Sequence, residues 1–199
     1  GMVFQDSLSS LNPTLTVVEQ ISRVLRFHTN LSREQIKERV IELLEQVEIP
    51  EAKSRASNYP HEFSGGMRQR VLIAMAISCN PVLLILDEPT TALDVTTEAQ
   101  IFRLIDRLKE ELGMSVILIT HDLAVVANSC GRAIIMYAGR IVEKAKVEPL
   151  YEHPIHPYTK GLLKCIPKIK GNGKEELYSI PGEVPDLITL PEGCNFSPR

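Results

Sequence analysis

Leu83-Leu84-Ile85-Leu86-Asp87-Glu88-Pro89 is the stretch on which the reading of this chain turns. With Val82 in front, its aliphatic part runs over residues 82–86 without a polar interruption and then meets two acids. So short an apolar run fits a strand buried on both faces, as strands of parallel sheets are. Two carboxylates at its end would stand at the carboxyl edge of the sheet, where open α/β folds bind ligands. On these seven residues alone, a strand end carrying solvated acids reads equally well.

The flanks support a sheet interleaved with helices. Residues 67–78 read as a helix stopped by Asn80-Pro81, and 95–112 as a second, with Ile101, Leu104, Ile105, Leu108 and Leu112 on one stripe and Gly113 as its cap. Residues 116–120 read as another buried strand. Residues 132–137 and 141–143, joined by Ala138-Gly139-Arg140, read as a hairpin. Strand and helix in alternation imply a parallel α/β sheet. Further upstream, Val3-Phe4-Gln5 reads as the end of a strand, so the chain is expected to begin inside a domain. Residues 13–57 are helical in pattern: Thr16…Glu19 and Ser32…Gln35 fit capping boxes, and Ile36, Val40, Leu43, Leu44 and Val47 form a stripe that Pro50 ends. Beyond Val147 the composition shifts, with eight of the 13 prolines from Pro149 onward. A helix is expected over 158–165, and 167–199 as an extended, loop-rich arm.

Composition excludes several classes. At 199 residues, 44% hydrophobic and 24% charged, the chain can bury a core without disulfides or metal. Its net charge of -3 does not suggest a polyanion-binding surface overall, and leaves room for a local basic patch. No apolar run approaches the ~20 residues of a membrane span, and the first residues do not read as a signal peptide. The cysteines at 79, 130, 165 and 194 form no CxxC pair, which disfavours a zinc ribbon and fits a reducing compartment. Cys79 and Cys165 read as packed helix residues.

Three more short patterns carry chemistry. Ser64-Gly65-Gly66-Met67 opens a helix, where backbone N–H groups and the positive helix end suit a phosphate, or where Ser64 is a plain cap on a turn. Thr120-His121-Asp122 follows a buried strand, so that His121 either reaches a phosphate from the same edge or is structural. Ala92-Leu93-Asp94 follows the two acids as a loop whose Asp94 is also a natural helix cap.

Taken in order and spacing, the set resembles the ATP-binding subunits of ABC transporters. Ser64, Gly65, Gly66 and Met67 match the signature motif, with Met67 where Gln is commoner; Asp87 and Glu88 match the Walker B pair, Asp94 the D-loop, His121 the switch histidine and Gln5 the Q-loop glutamine. Ser9-Ser10-Leu11-Asn12-Pro13, Tyr59-Pro60-His61-Glu62-Phe63 and His156-Pro157-Tyr158-Thr159 resemble the oligopeptide/dipeptide permease branch, which includes nickel importers; Ile180–Pro185 and Gly193–Phe196 look like its C-terminal continuation.

The resemblance implies a P-loop-NTPase-like α/β fold with a helical subdomain and an extension. Its expected parts are a Q-loop region at 1–12, a helical subdomain at 13–62, an ATPase core at 63–147 and the extension at 148–199. It also implies ATP and Mg²⁺, with Asp87 and Gln5 at the metal, Glu88 and His121 in catalysis, and Gln5, Ser64, Gly65, Gly66, Met67 and Asp94 at nucleotide. The implied partners are transmembrane permease subunits, a second ATPase subunit and, indirectly, an external substrate-binding protein, with no nucleic acid. The implied place is peripheral, on the cytoplasmic face of the membrane.

One motif of the family is missing. G-x-x-x-x-G-K-[ST] occurs nowhere, and the single Gly-Lys pair, Gly173-Lys174, is followed by Glu175. The P-loop and the adenine-stacking aromatic are therefore expected upstream of Gly1, and the chain by itself is expected to be inactive, with apolar surface uncovered and a tendency to self-associate. With Cys194 the one cysteine in the matching part of the extension, an iron–sulfur cluster, which takes four such ligands, is not expected here. Nickel import, a role in DNA repair or translation, and a non-catalytic interaction module are the competing readings.

Overall fold

The structure is a computed structural model and describes residues 1–5, 10–91, 93–166 and 178–199. Ser9 of the first permease-like stretch, Ala92 of the D-loop match and Gly173-Lys174 lie outside the described residues. The chain forms two compact units, residues 1–121 and 122–199.

The first unit is built on a three-stranded parallel sheet in the order β1-β2-β3, with β1 Met2–Val3, β2 Leu83–Asp87 and β3 Ser115–Ile119. Alternation sets its two faces. Leu84 and Leu86 are fully buried, as is Val3 beside Leu86. The other face carries Met2, Ile117 and Ile119, all exposed, around the half-buried Ile85.

Helices α1 (Val17–His28) and α2 (Arg33–Gln46) start where the capping boxes place them. The Thr16 N–H donates to Glu19 Oε2 at 2.8 Å, and the Ser32 N–H to Gln35 Oε1 at 2.8 Å. A short α3 (Ala52–Arg55) and a 3₁₀ turn at Pro60–Glu62 lead to α4 (Gly65–Ile77). The buried Val71, Ile73, Ala74 and Ile77 of α4 join the helical hairpin to the sheet. Between β2 and β3 runs α5 (Val95–Leu112), whose buried stripe is Ile101, Phe102, Leu104, Ile105 and Leu108 and whose cap is Gly113, at a positive φ of 62°.

One clamp ties these helices together. Glu48, just past α2 at φ 58°, receives Arg70 of α4 at 2.6 Å and Arg107 of α5 at 3.1 Å. The same arginines donate to the Val47 and Gln46 carbonyls, which satisfies the last turn of α2. Nothing in the residue pattern singles Glu48 out, because its partners lie 22 and 59 positions away.

The second unit holds α6 (Leu123–Ser129), an antiparallel hairpin of β4 (Arg132–Tyr137) and β5 (Arg140–Lys146), α7 (Val147–Glu152) and α8 (Pro157–Lys164). Ala138 and Gly139, both at positive φ, make the two-residue turn that matches the twist of a hairpin. Ala133, Ile135 and Leu150 are its buried core. Rather than projecting as an arm, residues 178–199 bend back: Arg199 donates to Ile180 O at 3.0 Å and Pro181 O at 2.7 Å, and Phe196 meets Tyr137 edge-on at 5.2 Å.

Cys79 departs from its expected packing. It lies beyond the last turn of α4 and is exposed, because Ser78 already caps that helix. Among the described residues, no helix is long and apolar enough to cross a membrane.

Candidate functional site

Glu88 is where the distant parts of the first unit converge. Its own N–H donates to Ile119 O at 2.9 Å, so the chain leaves β2 still hitched to β3. Its φ of 43° lies in the left-handed region, an uncommon backbone for a non-glycine residue. Gln5, two residues beyond β1, donates Nε2–H to Glu88 Oε2 at 2.9 Å, and the Thr91 hydroxyl donates to the same oxygen at 3.1 Å. His121, two residues beyond β3, sets its Nδ1 2.9 Å from Glu88 Oε1.

These bonds fix the protonation of the site. The imidazole bond, then the Thr91 hydroxyl, hold the Glu88 carboxyl below the ordinary glutamate range, so it is ionised at neutral pH. An ionised carboxylate only accepts, and His121 Nδ1 therefore carries its proton toward Glu88. Oε2 has taken two donors and Oε1 one from these partners. Among the described residues Oε1 takes only this one donor, which leaves it an acceptor direction that could meet a water.

Asp87 ends β2, opposite Ile119 in register, half-buried on the open face with Ile85. Its carboxylate is a candidate ligand for a divalent cation. Magnesium takes one or two carboxylates and fills its remaining positions with water and phosphate oxygens, so a single Asp suffices. The Gln5 amide oxygen is a second candidate donor, since the bond to Glu88 uses only its nitrogen. Among the described residues, no group of three or more His, Cys, Asp or Glu side chains forms a metal cage.

The glycine turn is assembled separately. Ser64 caps α4, its hydroxyl accepting from the Met67 N–H at 3.4 Å. Asp94 caps α5, accepting from the Thr97 N–H at 3.0 Å and the Thr97 hydroxyl at 2.6 Å. These two helix starts meet: a Cβ on Gly66 would stand 2.5 Å from Thr97 Cγ2, and one on Gly65 3.3 Å from Leu93 Cδ2. A Cβ at Gly66 would therefore have to displace the Thr97 methyl, whereas one at Gly65 would need only a small shift of Leu93. Gln5, Glu88 and His121 are brought together by direct bonds with Asp87 adjacent, whereas the Ser64 hydroxyl bonds within its own helix cap. Thr91, which sequence reasoning passed over, sits three residues after Glu88 in a turn closed by the Thr91 N–H to Glu88 O bond at 3.3 Å; that short spacing was its available signal.

The sequence of known proteins gives an independent reading. Residues 1–91 match the ABC transporter family and residues 142–199 the oligopeptide/dipeptide transporter C-terminal region. The oligopeptide transport ATP-binding protein OppD of Haemophilus influenzae is 52% identical over 199 residues, which cover 100% of this chain and 61% of that protein. OppD of Bacillus subtilis is 54% identical over 199 residues, covering 100% of this chain and 56% of its own length. Among solved structures, a dimeric ATP-binding cassette in a post-hydrolysis state, bound to ADP and Pi, superposes with a TM-score of 0.64 at 36% identity over 74% of this chain and 62% of that one. The chain therefore spans about three-fifths of the length of these relatives.

Proposed function

We propose that this chain, whose residues 1–91 match the ABC transporter family and whose residues 142–199 match the oligopeptide/dipeptide transporter C-terminal region, is part of an ATP-binding subunit that couples ATP hydrolysis to peptide import. The observation that carries the reading is the bonding of Gln5 and His121 to one carboxylate, Glu88, at the carboxyl edge of a parallel sheet. In this reading Glu88 polarises the attacking water through Oε1, and His121, oriented by Glu88, stabilises the γ-phosphate. Gln5 reports the state of the site to the helical hairpin that follows it. Asp87 holds Mg²⁺, which supplies charge neutralisation on the phosphates.

Ser64, Gly65, Gly66 and Met67 face nucleotide held by a second ATPase subunit, with Asp94 lining the same junction. A contact made across two subunits lets closure depend on the γ-phosphate. Residues 1–12 then serve as the Q-loop region, 13–62 as the subdomain that docks on the transmembrane permease, 63–147 as the remaining core and 148–199 as the extension. The subunit works peripherally at the cytoplasmic face of the membrane, fed by an external binding protein. Both OppD relatives are named for oligopeptide transport, which favours peptide over nickel.

The test is turnover of Mg-ATP by the complete subunit reconstituted in vesicles with its permease. Stimulation by peptide-loaded binding protein is expected. Turnover indifferent to peptide, or stimulated instead by ribosomes or DNA, would contradict it.

A further inference from the structure

Cys194 and His156 meet within the second unit, outside every role described above. Sγ of Cys194 lies 3.7 Å from Nε2 of His156, across 38 residues of sequence. The ring is oriented from its other side: Nδ1 accepts from the Tyr158 N–H at 3.1 Å, as the cap of α8. A neutral imidazole carries one proton, so that bond puts it on Nε2 and makes Nε2–H the donor toward the sulfur. The turn that bears the sulfur is held as well. Asn195, 5% exposed, donates to Ala138 O at 3.3 Å, and the Ser197 N–H donates to Cys194 O at 2.9 Å. The Phe196 ring packs among those of Tyr137, Tyr158 and His156, with centroids at 5.2, 5.5 and 5.9 Å. Cys194 itself stays exposed and free.

We infer that Cys194 is a site of reversible thiol–disulfide exchange with small soluble disulfides, with His156 as its positioning residue. The thiolate is the nucleophile in such exchange, and a fixed N–H donor facing an accessible sulfur supports its charge without burying it. The thiol proton leaves to water. Sγ then bonds to one sulfur of the incoming disulfide, the old S–S bond breaks, and the other half departs as thiolate. Cys194 is oxidised, the small disulfide is reduced, and an added thiol reverses the step. No residue of the first unit enters, so the inference stands apart from the ATPase reading. Cys79 is the internal reference: it is also free and exposed, but its sulfur faces the Ser78 hydroxyl at 3.7 Å rather than an imidazole.

The probe is oxidised glutathione, added to the complete subunit at neutral pH, with the adduct at each cysteine followed by peptide mass spectrometry. Cys194 should react roughly fivefold faster than Cys79, and dithiothreitol should remove the adduct. His156→Asn keeps a cap for α8 through its Oδ1 and removes Nε2–H. It should slow Cys194 by roughly threefold or more and leave Cys79 unchanged; a loosened fold would instead speed attack on the sulfur. The wild-type ratio is read without any variant, so it decides even where His156→Asn does not fold. A Cys194 rate no greater than that of Cys79 overturns the inference. So does a His156→Asn protein whose Cys194 reacts as fast as the wild type's.

Discussion

His121 Nδ1 lies 2.9 Å from Glu88 Oε1, a bond that joins the ends of β3 and β2 across 33 residues of sequence. It does two things. It places a proton on the imidazole nitrogen that faces the carboxylate, and it lowers the Glu88 carboxyl below the ordinary glutamate range. The same carboxylate takes Gln5 on its other oxygen, so one side chain collects the ends of all three strands.

The titration of Glu88 tests this bond. The group is depressed in the folded chain, first by the His121 imidazole and then by the Thr91 hydroxyl. A depressed carboxyl adds stability above its unfolded value, near 4.3, and gives it up as pH falls through the folded value. Followed by carboxyl-carbon NMR, Glu88 should titrate below ordinary glutamates, and His121→Ala should move it upward. An unmoved titration in the variant would remove His121 as the cause.

Gly66 should resist a change that usually helps a helix. Glycine to alanine in a helix ordinarily gains about 1 kcal/mol. Here the new Cβ meets Thr97 Cγ2, and Thr97 cannot turn away without breaking its 2.6 Å bond to Asp94. Gly66→Ala should cost about 1–3 kcal/mol by overpacking. Adding Thr97→Ser, which drops the methyl and keeps the hydroxyl, should restore most of it in a denaturation cycle. Additive costs would place the clash elsewhere.

Glu48 should matter modestly and in a salt-dependent way. Its carboxylate, held low chiefly by the Arg70 bond and next by Arg107, ties α2 to α4 and α5, yet its side chain is half exposed. Glu48→Gln should lower stability by about 0.5–1 kcal/mol at low salt, less at 1 M salt. The wild type's advantage should also shrink as pH falls below the ordinary glutamate range. A loss unchanged by salt and pH would point to packing instead.

The open sheet face predicts association of the isolated chain. Met2, Phe4, Ile117 and Ile119 are 40–60% exposed together at one sheet. Apolar patches of this kind drive self-association. Light scattering should find oligomers at micromolar concentration, reduced by Ile117→Lys with Ile119→Lys. A monodisperse wild-type monomer would contradict this.

Legibility in the sequence followed the range of the interactions. Features set by neighbours were plain: the aliphatic strand and its acids, both capping boxes, and the long helix with Gly113. Helix α6 was missed because it is one short run behind the Asp122 cap, and α7 because Pro149 reads as loop although proline is tolerated in a first helical turn. The candidate residues were recognisable as separate patterns. Their convergence was not: the bond of Gln5 to Glu88 spans 83 residues, and the left-handed backbone of Glu88 depends on its hitch to β3. The exposure of Cys79 and the contact of Cys194 with His156 likewise follow only from packing.

The central claim is that Glu88 is the carboxylate that polarises the attacking water. Its most direct test is single-turnover ATP hydrolysis by the complete subunit assembled with its permease, wild type against Glu88→Gln. The variant should lose at least a hundredfold in rate, with ATP retained in a closed dimer. Hydrolysis at the wild-type rate would contradict it.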